Sequence, residues 1–253
     1  MPHDGLDPLA VLRSRPERAA VLVDFDGTLA AIVPTASDAR PLPGVREVLE
    51  RLSASYAMVA VVSGRPVAYL TDQLGPVVRL VGLYGLEWSD GDRILEHPAA
   101  GPWRAVIDAV AVEAKAALPA EVDVEHKGLS LTLHFRPAPE AAAVTAAWAA
   151  EAAGRSGLHE RMAKMSIELH PPIAVDKGTT VRDLAAGLDA ACYVGDDVGD
   201  LPAFAALDTL AHGGLHTVKI AVRGVDAAPA LLAAADVVVD GPPAALDLLR
   251  SLL

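Results

Sequence analysis

A single cysteine, Cys192, in a chain of 253 residues cannot close an internal disulfide. The fold therefore has to hold without covalent staples, and the expected compartment is the reducing cytoplasm. Basic residues are the minority, 21 against 33 acidic for a formal charge of −12, and no run of lysine or arginine interrupts the acidity. That excludes nucleic acid and anionic membrane surfaces as partners, because both need a basic face. Long hydrophobic runs are missing as well. The most apolar stretch, residues 227–239, is broken by Pro229 and Asp236, whereas a spanning helix needs about 20 apolar residues. Asp4 and Asp7 precede any apolar run, so no signal peptide is read at the N-terminus. What the chain does have is apolar residues, 52% of the total with a mean hydropathy of +0.33, much of it alanine. Disorder is thereby excluded and helix favoured. At roughly 150 residues per domain the length allows one to two domains with a substantial core.

Short β-branched runs mark strands at residues 21–24, 59–62, 80–81, 193–194, 218–222 and 237–239. They are apolar on both faces, as strands of a buried parallel sheet are. Between them lie amphipathic helices with readable ends. One is carried by Val45, Val48, Leu49 and Leu52, another runs from Pro66 to a Gly75 stop, and a third carries Val181, Leu184 and Leu188. Alternating strand and helix predicts an α/β core, a doubly wound parallel sheet with its site at the carboxyl ends of the strands. The pattern changes over residues 89–174. There, strand-like runs at 122–125, 130–136 and 165–169 mix with alanine-rich helices at 103–118 and 139–153. The expected organisation is a core of residues 1–88 and 175–253 with an α+β domain of residues 89–174 inserted into it.

Four motifs carry chemistry. Asp24-Phe25-Asp26-Gly27-Thr28-Leu29 lies where the first buried strand ends. Two carboxylates so placed let one attack as a nucleophile while the other exchanges a proton, and Gly27 permits the sharp turn. Ser63-Gly64-Arg65-Pro66 follows the next strand and opens a helix, so a hydroxyl and backbone N–H groups form a phosphate cradle. Lys177-Gly178 stands at another helix entrance, where the ammonium neutralises a phosphate and the nucleophile together. Gly195-Asp196-Asp197-Val198-Gly199-Asp200 puts three carboxylates in five positions. At about 4 Å such like charges repel by roughly 1 to 4 kcal/mol per pair unless a divalent cation, here Mg²⁺, holds them.

In that order on a doubly wound core, the four motifs resemble the haloacid dehalogenase superfamily of phosphohydrolases. The resemblance implies that Asp24 attacks phosphorus to form an aspartyl-phosphate and that Asp26 protonates the leaving oxygen and then activates water. It further implies that Thr28 and Ser63, with Gly64 and Arg65 beside it, hold the phosphoryl group and that Lys177 meets the developing charge. Mg²⁺ would be held by Asp24, the backbone carbonyl of Asp26 and Asp196, with Asp200 in support. The inserted region looks like the type-2 cap of that superfamily. Within it the chain resembles trehalose-6-phosphate phosphatases on residues 82–87, 124–130, 134–136 and 164–171. This implies that Glu125, Lys127 and Glu168 bind sugar hydroxyls while Arg136 and Lys164 lie nearer the phosphate. The chain departs from that family at Tyr84, where histidine is more usual, and at Gly199-Asp200-Leu201. The expected activity is Mg²⁺-dependent hydrolysis of trehalose 6-phosphate by a cytoplasmic monomer. A phosphatase for sucrose 6-phosphate or a glycosyl-phosphoglycerate stays open beside it, as does a sugar phosphomutase, which would return the phosphoryl group to the sugar.

Overall fold

The computed structural model describes residues 7–33, 36–163, 165–224 and 227–253. From the N-terminus, α1 (Ala10–Ser14) leads into β1 (Ala19–Val23), which is followed by α2 (Val45–Ser53), β2 (Met58–Val62), α3 (Val67–Leu74), β3 (Arg79–Gly82), β4 (Glu87–Asp90) and β5 (Arg93–Glu96). Next come α4 (Arg104–Ala117), β6 (Asp123–His126), β7 (Leu131–His134), α5 (Ala142–Ser156), β8 (His159–Ala163) and β9 (Ser166–His170). The chain closes with α6 (Lys177–Leu184), β10 (Ala190–Gly195), α7 (Leu201–His212), β11 (His216–Arg223), α8 (Pro229–Ala234), β12 (Val237–Asp240) and α9 (Gly241–Arg250).

Two compact units result, one of residues 1–95 and 175–253 and one of residues 96–174. The first is built on an eight-stranded sheet of order β12-β11-β10-β1-β2-β3-β4-β5, parallel from β12 to β3. This is the doubly wound parallel sheet the alternating pattern predicts. The strand order turns at β1, with β2 and β3 on one side and β10 to β12 on the other, and ligand crevices open at such a switch point. β1 shows why its sequence is apolar throughout. Ala19, Val21 and Val23 enter one cluster with Leu49, Leu70 and Leu249, while Ala20 and Leu22 enter another with Val181 and Phe204. Each face of the sheet is thus covered, and a two-residue period divides the strand between them.

β4 and β5 extend this sheet beyond the parallel strands, with β4 antiparallel to β3. Their residues, Glu87-Trp88-Ser89-Asp90 and Arg93-Ile94-Leu95-Glu96, carry no long apolar run; β5 is an edge strand and β4 lies between it and β3. The second unit is a four-stranded antiparallel sheet of order β6-β7-β9-β8. Leu131, Leu133, Ile167 and Leu169 pack with Ile107 and Ala114 of α4 and Ala149 and Ala152 of α5. β8, with sequence His159-Glu160-Arg161-Met162-Ala163, is an edge strand whose charges hide it from an apolar-run search. Among the described residues no helix is long and apolar enough to cross a membrane.

Candidate active site

The carboxyl ends of β1, β2 and β10 carry three of the four motifs, and α6 brings the fourth. Asp24 continues β1, its N–H donating to Val194 O at 2.8 Å. The chain then turns sharply, Gly27 N–H donating to Ala30 O at 2.8 Å. Gly27 sits at φ +75°, and a Cβ there would stand 1.9 Å from Asp196 Oδ2. A side chain at this position would displace the carboxylate of the last motif, so the glycine serves the site as well as the turn.

Lys177, the first residue of α6, places its buried Nζ 2.9 Å from Asp24 Oδ1 and 2.6 Å from Asp200 Oδ1. The helix entrance is fixed by Asp176, which accepts from Thr179 N–H at 2.7 Å, while Thr179 Oγ1 accepts from Asp176 N–H at 3.0 Å. Asp200 is fully buried and satisfied on both oxygens. Oδ1 also accepts from Tyr193 Oη at 2.7 Å, and Oδ2 from the N–H groups of Asp196 and Asp197 at 2.9 and 3.1 Å. Asp200 therefore fixes the loop that presents Asp196.

Asp24, Asp196 and Asp200 each offer a carboxylate oxygen within 4.8 Å of the others. Burial pushes Asp24 up to about 8, opposed by Lys177 and aided by Asp200, and pushes Asp196 up to about 9, with Asp24 adding to the rise. Burial alone would depress the Lys177 ammonium, but Asp200 and Asp24 outweigh it and hold it well above its ordinary value. With all three carboxylates ionised, one lysine leaves two uncompensated negative charges in a buried cluster of hard oxygen donors. These residues fit a divalent cation such as Mg²⁺.

Thr28 Oγ1, one turn beyond Asp24, is buried with no hydrogen-bond partner among the described residues. An orphan hydroxyl of this kind costs about 1 to 3 kcal/mol, and a phosphoryl oxygen would satisfy it. Ser63 follows β2, its N–H donating to Val81 O at 2.9 Å and its Oγ accepting from Arg65 N–H at 3.2 Å.

The guanidinium of Arg65 is engaged with Asp26. Nε and Nη2 donate to Oδ2 and Oδ1, each at 2.8 Å, and the group lies 4.7 Å from the centroid of the Tyr69 ring. Sequence reasoning assigned Arg65 to substrate and did not find this pair; its signal is distributed over a turn, a helix and a strand end 39 residues apart. Also missed were Tyr193, whose hydroxyl anchors Asp200, and Glu87, a buried residue whose Oε1 accepts from Val67 N–H at 2.5 Å at the start of α3. Tyr193 lies inside the buried apolar strand β10, which hides its hydroxyl, whereas a glutamate beside a glycine turn is a signal that was there to read.

Leu83 and Tyr84 occupy the left-handed region, at φ 49° and 60°. Such conformations cost of the order of 1 to 3 kcal/mol each in a non-glycine residue. Two hydrogen bonds hold them, from Leu83 N–H to Arg65 O at 3.1 Å and from Tyr84 N–H to Ser63 O at 3.0 Å. The result places the Tyr84 ring against Gly64, where a Cβ would come within 2.7 Å of it, and 6.0 Å from Lys177 Nζ.

In the second unit, Glu125 Oε2 lies 2.8 Å from His134 Nε2 and 3.6 Å from Lys127 Nζ. Glu168, almost fully buried, accepts from Ser130 Oγ at 2.7 Å and from Arg161 Nη1 at 3.1 Å. The structure thus puts Glu125 and Glu168 on one sheet, with Lys127 in the connection just after β6. Arg136 is half-buried just beyond β7, and Lys164 lies outside the described residues.

Comparison with known proteins is consistent across sequence and structure. A family described as trehalose-phosphatase matches residues 22–235. The trehalose-phosphate phosphatase of Mycobacterium avium (strain 104) is 35% identical over 227 residues, covering 82% of this chain and 55% of the relative. That of Mycobacterium leprae (strain TN) is 32% identical over 221 residues, covering 81% and 50%. The chain therefore spans about half the length of the curated relatives it matches. Among solved structures, the C-terminal domain of the Candida albicans trehalose-6-phosphate phosphatase superposes with a TM-score of 0.79 at 22% identity, covering 98% of this chain and 97% of that one. A trehalose-6-phosphate phosphatase related protein gives 0.78 at 20% identity, covering 92% and 96%. Both structures share the fold described above.

Proposed function

This chain belongs to the trehalose-phosphatase family, and on that premise we propose that it hydrolyses trehalose 6-phosphate to trehalose and inorganic phosphate. The observation that carries the reading is the buried pair of Asp24 and Lys177 at 2.9 Å beside Asp196 and Asp200. A buried carboxylate against a fixed ammonium, with two more carboxylates beside it at the switch point of a doubly wound sheet, supports Asp24 as the nucleophile with a divalent cation next to it.

In the first half-reaction an Asp24 oxygen attacks phosphorus and the bond from phosphorus to the sugar oxygen breaks; Asp26, after one of its oxygens leaves Arg65 and takes a proton from solvent, gives the leaving oxygen that proton. In the second, Asp26, now a carboxylate, takes a proton from water as the water attacks phosphorus. Phosphate leaves and Asp24 is regenerated. Thr28, Ser63 and the backbone of Gly64 hold the phosphoryl oxygens, and Lys177 meets their charge. Positioning and fixed charge carry such a transfer. Asp24, the Asp26 backbone carbonyl and Asp196, with Asp200 in support, would hold Mg²⁺, which would supply the positive charge that lets the carboxylates and the substrate phosphate share the site. Arg65, which holds Asp26 here, would also meet the substrate phosphate.

The α+β unit acts as the specificity cap; it spans residues 96–174 rather than the expected 89–174, because β4 and β5 join the core sheet, and Glu125, Lys127 and Glu168 would accept from and donate to sugar hydroxyls, with Arg136 also on the substrate side. The protein works as a cytoplasmic monomer on a small anionic sugar. Its lone cysteine, buried in β10 with a thiol pushed up to about 12 by burial, supports a reducing compartment and no redox role.

The test is phosphate release from a panel of trehalose 6-phosphate, sucrose 6-phosphate, glycosyl-phosphoglycerate and glucose 6-phosphate, with Mg²⁺ and with chelator. Trehalose 6-phosphate should show the highest kcat/KM, and only with Mg²⁺. Preference for another sugar would move the substrate assignment and leave the hydrolysis standing. Isomerised sugar phosphate without free phosphate would make the protein a mutase.

A further inference from the structure

The antiparallel sheet of the second unit has two unlike faces. Leu131, Leu133, Ile167 and Leu169 line the one that packs on α4 and α5. The opposite face carries an in-register row across all four strands, in which Glu125 pairs with Thr132, Thr132 with Glu168, and Glu168 with Arg161. Its two carboxylates stand two strands apart, about 9 to 10 Å between backbones. Each is already held by its own sheet: Glu125 by His134 and Lys127, Glu168 by Ser130 on one oxygen and Arg161 on the other.

Glu168 is the more constrained of the two. Its side chain is 4% exposed, and burying an acidic group costs free energy unless it is paired and hydrogen-bonded. Arg161, from the edge strand β8, pairs with it at 3.1 Å while keeping its own side chain 24% exposed. Ser130 and Arg161 approach different oxygens and thereby fix the orientation of the carboxylate plane. A carboxylate has about four lone-pair sites, so acceptor capacity remains in a set direction. Acceptors held in this way discriminate strongly, because a ligand without the matching hydroxyls leaves them unpaired.

We propose that Arg161 is a positioning residue for sugar recognition, holding the Glu168 carboxyl group in one orientation so that it accepts hydrogen bonds from hydroxyls of the non-phosphorylated part of the substrate. This rests on the reading of Glu168 as a sugar-binding residue and goes beyond it, since Arg161 belongs to none of the motifs that carry the family resemblance. Its effect falls on KM for hydroxylated substrates and leaves the chemical step alone.

The experiment measures kcat and KM for trehalose 6-phosphate and for p-nitrophenyl phosphate in the Mg²⁺-loaded full chain, with variants Glu168→Gln, Arg161→Ala, Arg161→Lys and the double variant Arg161→Ala/Glu168→Gln. Arg161→Ala should raise KM for the sugar phosphate on the order of tenfold, one strong hydrogen bond's worth. The ratio of kcat/KM between the two substrates should shift by a similar factor. Arg161→Lys, which keeps the charge, should recover part of the loss. The double variant should be no worse than the poorer single one, because both changes remove the same interaction. Additive effects would mean that Arg161 acts on its own and would overturn the proposal. So would a normal KM in Arg161→Ala beside a raised KM in Glu168→Gln, with the sugar role of Glu168 intact. Normal KM values in both variants would remove the reading of Glu168 itself. Thermal melts of each variant separate these outcomes from misfolding, which would lower activity on both substrates equally, and Arg161→Lys serves if Arg161→Ala does not fold.

Discussion

Arg65 and Asp26 face each other through two parallel hydrogen bonds of 2.8 Å, the guanidinium stacked on Tyr69 and the carboxylate two residues beyond Asp24. A planar fork matched to both oxygens fixes the rotation of the carboxyl group, and a lysine in its place contacts it as a point charge. Arg65→Lys should therefore lower kcat/KM for trehalose 6-phosphate about tenfold, the equivalent of one charge-assisted hydrogen bond. Aryl phosphates with good leaving groups need less help from a proton donor and should lose less. A series of aryl phosphates of graded leaving-group acidity measures this directly; an equal loss across the series would assign Arg65 to phosphate binding alone.

Asp24→Asn should abolish phosphate release without unfolding the protein. The substitution removes the attacking oxygen's charge and leaves shape nearly unchanged. Because burial and Asp200 disfavour the Asp24 carboxylate, raising it to about 8, neutralising it should leave the melting temperature in chelator no lower than that of wild type. Circular dichroism melts beside a phosphate assay check both halves. Turnover retained in the variant would eliminate the covalent intermediate.

How much of this was legible in the sequence depends on how local each feature is. β1 and the turn after it are contiguous, so Asp24, Asp26 and Gly27 were readable from a buried apolar run ending in Asp-x-Asp-Gly. The parallel core followed from strands apolar on both faces. β4, β5 and β8 were not readable: β5 and β8 are edge strands that carry charge, and β4 beside β5 is polar and only part-buried, so none has the apolar pattern that marks buried strands. Partnerships were the least visible. Nothing near Arg65 in the chain points to Asp26, and nothing near Glu168 points to Arg161 until the sheet register is known. The strain at Leu83 and Tyr84 was equally hidden, since neither residue type advertises a left-handed conformation.

The metal-free protein should lose stability as pH rises. Asp24 and Asp196 sit at about 8 and about 9 in the folded protein against 3.8 for an ordinary aspartate, so the folded state holds protons that the unfolded chain releases. The stability they contribute is complete below about pH 4 and disappears as pH climbs through 8 and 9. Cation binding displaces those protons and becomes tighter over the same range. Melting temperatures in chelator should fall between about pH 6 and 9, while the increment produced by added Mg²⁺ should grow. A Mg²⁺ increment that stayed flat with pH would place the cation away from these two carboxylates.

Lys177 gives the sharpest test of the buried charge arrangement, because one ammonium serves two carboxylates at 2.9 and 2.6 Å. Lys177→Met preserves length and apolar volume while removing the charge. Asp200 keeps Tyr193 and two backbone N–H groups, so the loop that presents Asp196 retains part of its support. Asp24 loses its cation at a position almost sealed from water. Removing one partner of such a buried arrangement costs about 3 to 5 kcal/mol, which for a chain of this size lowers the melting temperature by roughly ten degrees. The loss should be larger at pH 9 than at pH 6, where Asp24 escapes the cost by taking up a proton. Activity should vanish at either pH, since the phosphoryl group loses its fixed counter-charge. A variant that melted like wild type at both pH values would show that Lys177 does not balance these carboxylates, and the charge assigned to the site would have to be redrawn around the cation alone.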